Sequence, residues 1–227
     1  MKVVLITPAL NEAAFIGTVV DQAVAAGYPV VVVDDGSTDR TGAIAREAGA
    51  TVLRHPFNLG VGAALQTGFR QALKDGAEAV VQVDADGQHA VDQVTALTER
   101  LGGEVQMVIG SRFVNRARPR SPRGLAMATL ARRASKVAGT TVTDASSGFR
   151  AIGRPLLELF AKRFPSSYLG DTFGSILLAS RHGFRVVEVP VVIFERQAGQ
   201  PSTGAGKSAF LVLRAIASAA TTETKRL

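Results

Sequence analysis

The chain of 227 residues contains no cysteine and no tryptophan, and it has only two tyrosines and three histidines. Without cysteine, a disulfide framework and thiolate metal sites are both excluded. His55, His89 and His182 are scattered and lack the spacing of a zinc site. So few large aromatics leave little for base stacking, and no nucleic-acid-binding motif is present. Nucleic acid is therefore excluded as the expected partner. Long apolar runs are lacking as well: nothing approaches the ~20 residues of a membrane span. Met1–Ile6 is too short for a signal peptide and carries no cleavage site. These absences predict a soluble, cytoplasmic chain.

Two nucleotide-binding signatures are missing too. Pro8–Phe15 contains no glycine, so no dinucleotide-type pyrophosphate turn follows the first strand. Gly204-Ala205-Gly206-Lys207-Ser208 ends like a P-loop, but Pro201 stands where that motif needs its first glycine.

What is present is enough apolar material, 46%, to bury one sizeable core, so a single domain is expected. The net charge is +7, and much of it is local. Arg112, Arg116, Arg118, Arg120 and Arg123 fall close together, followed by Arg132, Arg133 and Lys136. Such a patch suits phosphate groups or an anionic lipid surface; the alternative is a solvated basic loop.

Short β-branched runs alternate with helical stretches through the first half. Strands are predicted at Val3–Thr7, Pro29–Val33, Thr51–Arg54, Val80–Val83 and Val105–Ile109. Helices follow to about Ala26, Ala48 and Lys74, and from Val91 to Leu101. This βαβ rhythm indicates an α/β fold with a mostly parallel sheet covered on both faces. In the second half helices are expected at Gly124–Ala138, Pro155–Lys162, Asp171–His182 and Lys207–Ala220. Asp144–Arg150 reads as a turn and short strand, and Val186–Phe194 as an edge or bulged strand interrupted by Pro190.

Asp84 and Asp86 follow the Val80 strand, with Gln88 one step further. Residues two apart in extended backbone point to one side, so the carboxylates are expected to converge. Their repulsion calls for a cation, and all-oxygen ligands suit Mg²⁺ or Mn²⁺. The alternative is an Asp-rich turn capping the next helix.

Seven motifs in order resemble family 2 glycosyltransferases of GT-A fold. They are Pro8–Glu12, Val33–Asp39, Asn58-x-Gly60, Asp84–Gln88, Gly110–Phe113, Thr143-Asp144-x-x-Ser147-Gly148-Phe149-Arg150, and Glu188–Val191. The later ones are similar to the polyprenyl-phosphate branch, the dolichol-phosphate mannosyltransferase-like enzymes. The resemblance implies one GT-A domain: a Rossmann-like nucleotide-sugar and metal half over 1–110, an acceptor half over 111–206, and a C-terminal helix and tail over 207–227. It implies an inverting, metal-dependent hexosyltransferase of cell-wall or polysaccharide synthesis. The donor would be a UDP-, GDP- or dTDP-sugar and the acceptor a polyprenyl phosphate.

Residue by residue, Pro8, Ala9, Glu12 and Asp35 would line the nucleoside pocket. Asp84 would reach the sugar or ribose and the metal, while Asp86 and Gln88 hold the metal against the diphosphate. Arg112 would face the acceptor phosphate with Ser147 and a second arginine, Arg123, for which Arg132 and Arg133 compete. Arg196 would contact the donor diphosphate. Asp171 is either a general base or a helix cap. The Arg-x-x-Gly-x-Ser-Lys ending of the family is altered here, with Gln200-Pro201-Ser202 after Gly199. Many relatives also continue into membrane-spanning helices. This chain would meet a lipid peripherally, or through a membrane partner, using the arginine patch and the Lys207–Ala220 helix; packing of that helix on its own domain is the alternative. Two other functions stay open: transfer to a hydroxyl with Asp171 as base, and a non-catalytic sugar-nucleotide-binding subunit.

Overall fold

The computed structural model describes residues 1–118, 121–165 and 170–192, with the side chains of 122, 123 and 170 left aside. The expectations for Arg196, for the end of the Val186–Phe194 strand, for the tail helix and for the Arg123 side chain lie outside the described residues.

Four β-branched strands form a parallel core: β1 (Val3–Ala9), β2 (Val30–Asp34), β3 (Thr51–Arg54) and β4 (Ala79–Gln82). Three more, β5 (Val105–Ser111), β6 (Arg150–Gly153) and β7 (Arg185–Pro190), complete a seven-stranded sheet in the order β3-β2-β1-β4-β6-β5-β7. Only β6 runs antiparallel to its neighbours. Its start, not its end, therefore lies at the edge where the other strands finish, and the Asp144–Phe149 turn that precedes it reaches the same edge. As expected for a strand with a late proline, β7 is at the border of the sheet. Pro8 is tolerated inside β1 because β4 stops pairing at Ile6, so the missing N–H faces no partner strand.

The period of two sorts each strand between two cores. Val4, Ile6, Val31, Val33, Val80, Met107, Ile109 and Ile152 pack under α3 (Val61–Lys74), α5 (Pro122–Ala138), α6 (Arg154–Lys162) and α7 (Ser175–Arg181). Leu5, Val30, Val32, Val81, Val108 and Ala151 pack on the other side against α1 (Ile16–Ala25), α2 (Thr41–Glu47) and α4 (Val94–Thr98). Sheet residues buried on both faces explain why these strands read as unbroken valine runs.

Local signals set several boundaries. In α5 the Ser121 hydroxyl accepts from Gly124 N at 3.1 Å, Pro122 opens the helix, and Gly139 closes it with φ 65°. The helix expected over Val91–Leu101 is shorter: a 3₁₀ turn at Val91–Gln93 leads into α4, which stops at Thr98 ahead of Gly102-Gly103. The expected Asp171–His182 helix opens with a π turn, Gly170–Gly174, before α7.

Candidate active site

Loops after β1, β2 and β3 lock together through backbone N–H groups and short polar side chains. Asn11, left-handed at φ 54°, accepts from Thr38 N at 2.8 Å, and its own N–H donates to Ser37 Oγ at 3.0 Å. Glu12 N donates to Thr41 Oγ1 at 2.8 Å. Pro8 and Ala9 end β1 beside Val33 and Asp34, so the first and second motifs form one wall. Asp35, expected to line a nucleoside pocket, is buried and turned inward. Its carboxylate accepts from His55 Nδ1 at 2.7 Å, Leu59 N at 2.9 Å and Gly60 N at 2.8 Å. His55 in turn meets Thr67 Oγ1 at 3.0 Å. Gly36 lets these loops touch: a Cβ there would lie 2.6 Å from the Phe57 carbonyl carbon, and its φ is +81°.

The Asp84–Gln88 stretch lies one step along the same edge. The strand stops at Gln82 and the chain turns at Ala85-Asp86. The two carboxylates thus stand around a turn, and the extended-strand argument for their convergence does not apply. Asp84 is 39% exposed, and Asp86 Oδ1 accepts from Gln88 N at 3.1 Å. Gly148 borders Asp84 closely: a Cβ there would lie 3.1 Å from both carboxylate oxygens. Among the described residues, His, Asp and Glu side chains alone form no group of three able to hold a metal ion. Two carboxylates and the Gln88 amide, all hard oxygen donors at an open edge, suit a divalent cation that takes its other ligands from a bound phosphate or water.

Beyond β4 the site is built from charges far apart in sequence. Arg112 Nε and Nη2 donate to the two oxygens of Asp144 at 2.6 and 2.9 Å, and Nη2 also reaches Ser146 Oγ at 3.1 Å. Asp144 is itself fixed by Glu188, whose carboxylate accepts from Thr143 N, Thr143 Oγ1 and Asp144 N at 2.6–2.7 Å. Burial works against the Arg112 charge, but the hydrogen bonds and attraction of Asp144, with Asp84 adding to them, hold its pKa above the ordinary value. Arg112 and Arg118 both lie over the Phe113 ring, at 5.3 and 5.1 Å from its centroid. A cleft of about 240 Å³ opens beside Arg112, lined by Ser111, Asn115, Arg116 and the apolar wall Pro190–Val192. Ser147 is buried, its Oγ accepting from Phe149 N at 3.3 Å.

Arg150, which begins β6, is fully buried. It donates to the carbonyls of Ser147, Thr172 and Ala145 and to Ser175 Oγ, at 2.6–3.1 Å. Desolvation lowers its pKa to about 10 against the pull of Asp171, Asp144, Glu188 and Asp84. Burial pushes the Asp171 carboxyl up, Arg150 pulls it down, and Asp84 pushes it up again. The Asp171 carboxylate also accepts from the backbone N–H groups of Asp171 and Thr172, at the head of the π turn. It is not the cap of α7, whose N-cap is Gly174.

Sequence reasoning gave no role to His89, Glu188 or Arg150. Their signals were a histidine directly after the Asp-x-Asp-x-Gln stretch, a glutamate amid valines on an edge strand, and an arginine opening a buried one.

A seven-stranded, mostly parallel sheet with acidic loops at one edge and an arginine-lined cleft beside them matches a known class. The family model for glycosyl transferase family 2 fits residues 4–160, and the chain belongs to that family: it is a glycosyltransferase of GT-A fold. Polyprenol monophosphomannose synthase of Mycolicibacterium smegmatis is 35% identical over 181 residues, 75% of this chain and 68% of the relative. Undecaprenyl-phosphate mannosyltransferase of Micrococcus luteus is 32% identical over 188 residues, 78% of this chain and 76% of the relative. Among solved structures, glucosyl-3-phosphoglycerate synthase from Mycobacterium tuberculosis, in complex with Mn²⁺, UDP and phosphoglyceric acid, superposes with a TM-score of 0.68. It is 24% identical, covering 96% of this chain and 78% of that one, and shows the shared fold. Among the described residues, no helix is long and apolar enough to cross a membrane.

Proposed function

We propose that this glycosyltransferase moves one hexose, with inversion and with the help of Mg²⁺ or Mn²⁺, from a nucleoside-diphosphate sugar to a polyprenyl phosphate. The observation that carries the reading is the cleft in which the Arg112 guanidinium, braced by Asp144, meets the apolar wall Pro190–Val192. Such a cleft suits a ligand with an anionic head and a hydrocarbon start. The names of the relatives from M. smegmatis and M. luteus point to the same acceptor class.

Pro8, Ala9 and Glu12 face the nucleoside, and Asp35 shapes its pocket indirectly by holding Leu59 and Gly60. Asp84, Asp86 and Gln88 would hold the cation, as the Mn²⁺ and UDP of the M. tuberculosis structure suggest for the fold. When bound, the cation neutralises negative charge developing on the leaving diphosphate. Arg196, outside the described residues, would contact the donor diphosphate. Arg112 would grip the acceptor phosphate, with Arg123 as the second arginine, and Ser147 acts through the turn it anchors. Val114 and Val192, exposed close to Arg116, give the chain a basic and apolar approach to a lipid surface.

A phosphate monoester is largely anionic at neutral pH and is already a nucleophile, so no residue has to remove a proton. The second reading, transfer to a hydroxyl, is favoured by one feature: burial raises the Asp171 pKa in the direction a general base requires. The test is a transfer assay with Mn²⁺, a panel of UDP-, GDP- and dTDP-sugars, and undecaprenyl phosphate beside undecaprenol. Product is expected with the phosphate alone, and Asp171→Asn should reduce kcat by about tenfold or less. A loss beyond roughly a hundredfold with normal donor binding would move the assignment to a hydroxyl acceptor.

A further inference from the structure

His89 follows the candidate metal ligands directly, yet it faces inward and is 5% exposed. The Asp84 N–H donates to His89 Nδ1 at 3.0 Å. With Nδ1 accepting, the ring carries its proton on Nε2, which lies 3.6 Å from Asp84 Oδ2. That distance is attractive but too long for a hydrogen bond. One ring therefore holds Asp84 by its backbone and draws on its carboxylate. The ring is itself fixed from behind, stacked on Phe149 with centroids 4.8 Å apart and planes at 17°. Phe149 is fully buried, its carbonyl accepts from Gly110 N at 2.9 Å, and it follows Gly148, the residue bordering Asp84 on another side.

We propose that His89 is a positioning residue for the donor-side cation. Through Nδ1 and its stack on Phe149 it sets where Asp84 presents its oxygens, and it ties the Asp84–Gln88 loop to the Ser147–Arg150 motif of the acceptor half. The proposal rests on the reading that Asp84 and Asp86 hold a divalent cation. It assigns a task to two residues, His89 and Phe149, that otherwise look like ordinary core filling. The Asp84–Gln88 loop turns at Ala85-Asp86. A ring wedged between that loop and the buried Phe149 supplies the rigidity.

Three variants test it, with Mn²⁺ titrated calorimetrically in the presence of UDP and, separately, GDP. His89→Phe keeps a ring for the stack and removes both nitrogens. His89→Asn restores an acceptor where Nδ1 stood and removes the ring. Asp86→Ala serves as the control for the cation reading. His89→Phe is expected to weaken Mn²⁺ by about 10–100-fold, the usual cost of losing an outer-shell partner. Nucleotide binding in EDTA and the melting temperature should stay near wild type, and His89→Asn should recover part of the loss. Unchanged Mn²⁺ affinity in His89→Phe, with Asp86→Ala clearly impaired, overturns the positioning role alone. Unchanged affinity in Asp86→Ala overturns the cation reading and this inference with it. Should His89→Phe fail to fold, Phe149→Leu takes its place. A lower Mn²⁺ affinity with normal metal-free nucleotide binding then supports the role, and an unchanged one overturns it.

Discussion

The loops after β1 to β3 and the cleft beside β5 to β7 are built by opposite means. In the loops after β1 to β3, carboxylates accept backbone N–H groups, some from near neighbours: Asp34 from Ser37, Asp39 from Thr41. Beside β5 to β7, carboxylates find their partners across the sheet. Arg112 meets Asp144 at a separation of 32 residues, and Thr143 and Asp144 meet Glu188 at 45 and 44. The first kind of site needs small polar residues and glycines in a fixed local order. The second needs an antiparallel strand to return the Asp144–Phe149 turn to the functional edge.

The largest predicted effect breaks the buried side of this comparison. Arg150→Met should take a donor away from the carbonyls of Ser147, Thr172 and Ala145 and from the Ser175 hydroxyl in a dry site. The expected cost is on the order of 3–5 kcal/mol, read as a melting-temperature fall of roughly 10 °C. Asp35→Ala is the counterpart in the loops after β1 to β3. It releases the buried His55 ring together with Leu59 and Gly60 N–H, and water can replace the carboxylate only at the loop, so the loss should be smaller, about 1–3 kcal/mol. Equal losses in the two variants would show that burial does not distinguish the halves.

This contrast also explains what could be read from the sequence. Valine runs separated by helical stretches predicted the parallel core because burial on both faces leaves a direct trace in composition. The Pro8–Glu12, Asp34–Asp39 and Asp84–Gln88 loops could be picked out as candidate sites because each motif is a short run of neighbouring residues. The grip of Asp144 on Arg112 was not, since neither residue records its partner's position. The inward turn of Asp35 was hidden for the same reason: its partner at the shortest distance, His55, follows β3, 20 residues later. Nor did hydrophobic pattern reveal that α4 stops at Thr98, or that α7 opens with a π turn. Those ends depend on how each helix packs at the rim.

Smaller effects sharpen the acceptor side. Glu188→Gln keeps the shape but replaces one accepting oxygen with a donor facing Thr143 and Asp144. It should loosen Asp144 and hence Arg112, raising the acceptor KM by roughly tenfold, the worth of about one hydrogen bond. Donor affinity should not move, as calorimetry with UDP or GDP and Mn²⁺ would show. Asp171→Asn should raise stability slightly at neutral pH. Burial lifts the folded-state pKa of this carboxyl, so stability falls as pH rises through the unfolded value toward the folded one, and the amide avoids that loss. Melting curves of variant and wild type should converge below about pH 4, where the unfolded carboxyl is protonated too.

The most direct measurement is donor affinity in Arg112→Lys, where the predicted change is nil. Lysine keeps a cation against buried Asp144 but cannot reproduce the two-pronged contact or offer the same fork to a phosphate. Donor binding, titrated with UDP- and GDP-sugars in Mn²⁺, should match wild type while turnover of undecaprenyl phosphate falls by one to two orders of magnitude, on the scale of a charge-assisted contact. Loss of donor affinity with an unchanged acceptor KM would place Arg112 on the diphosphate and contradict the division of the site into two separately built halves.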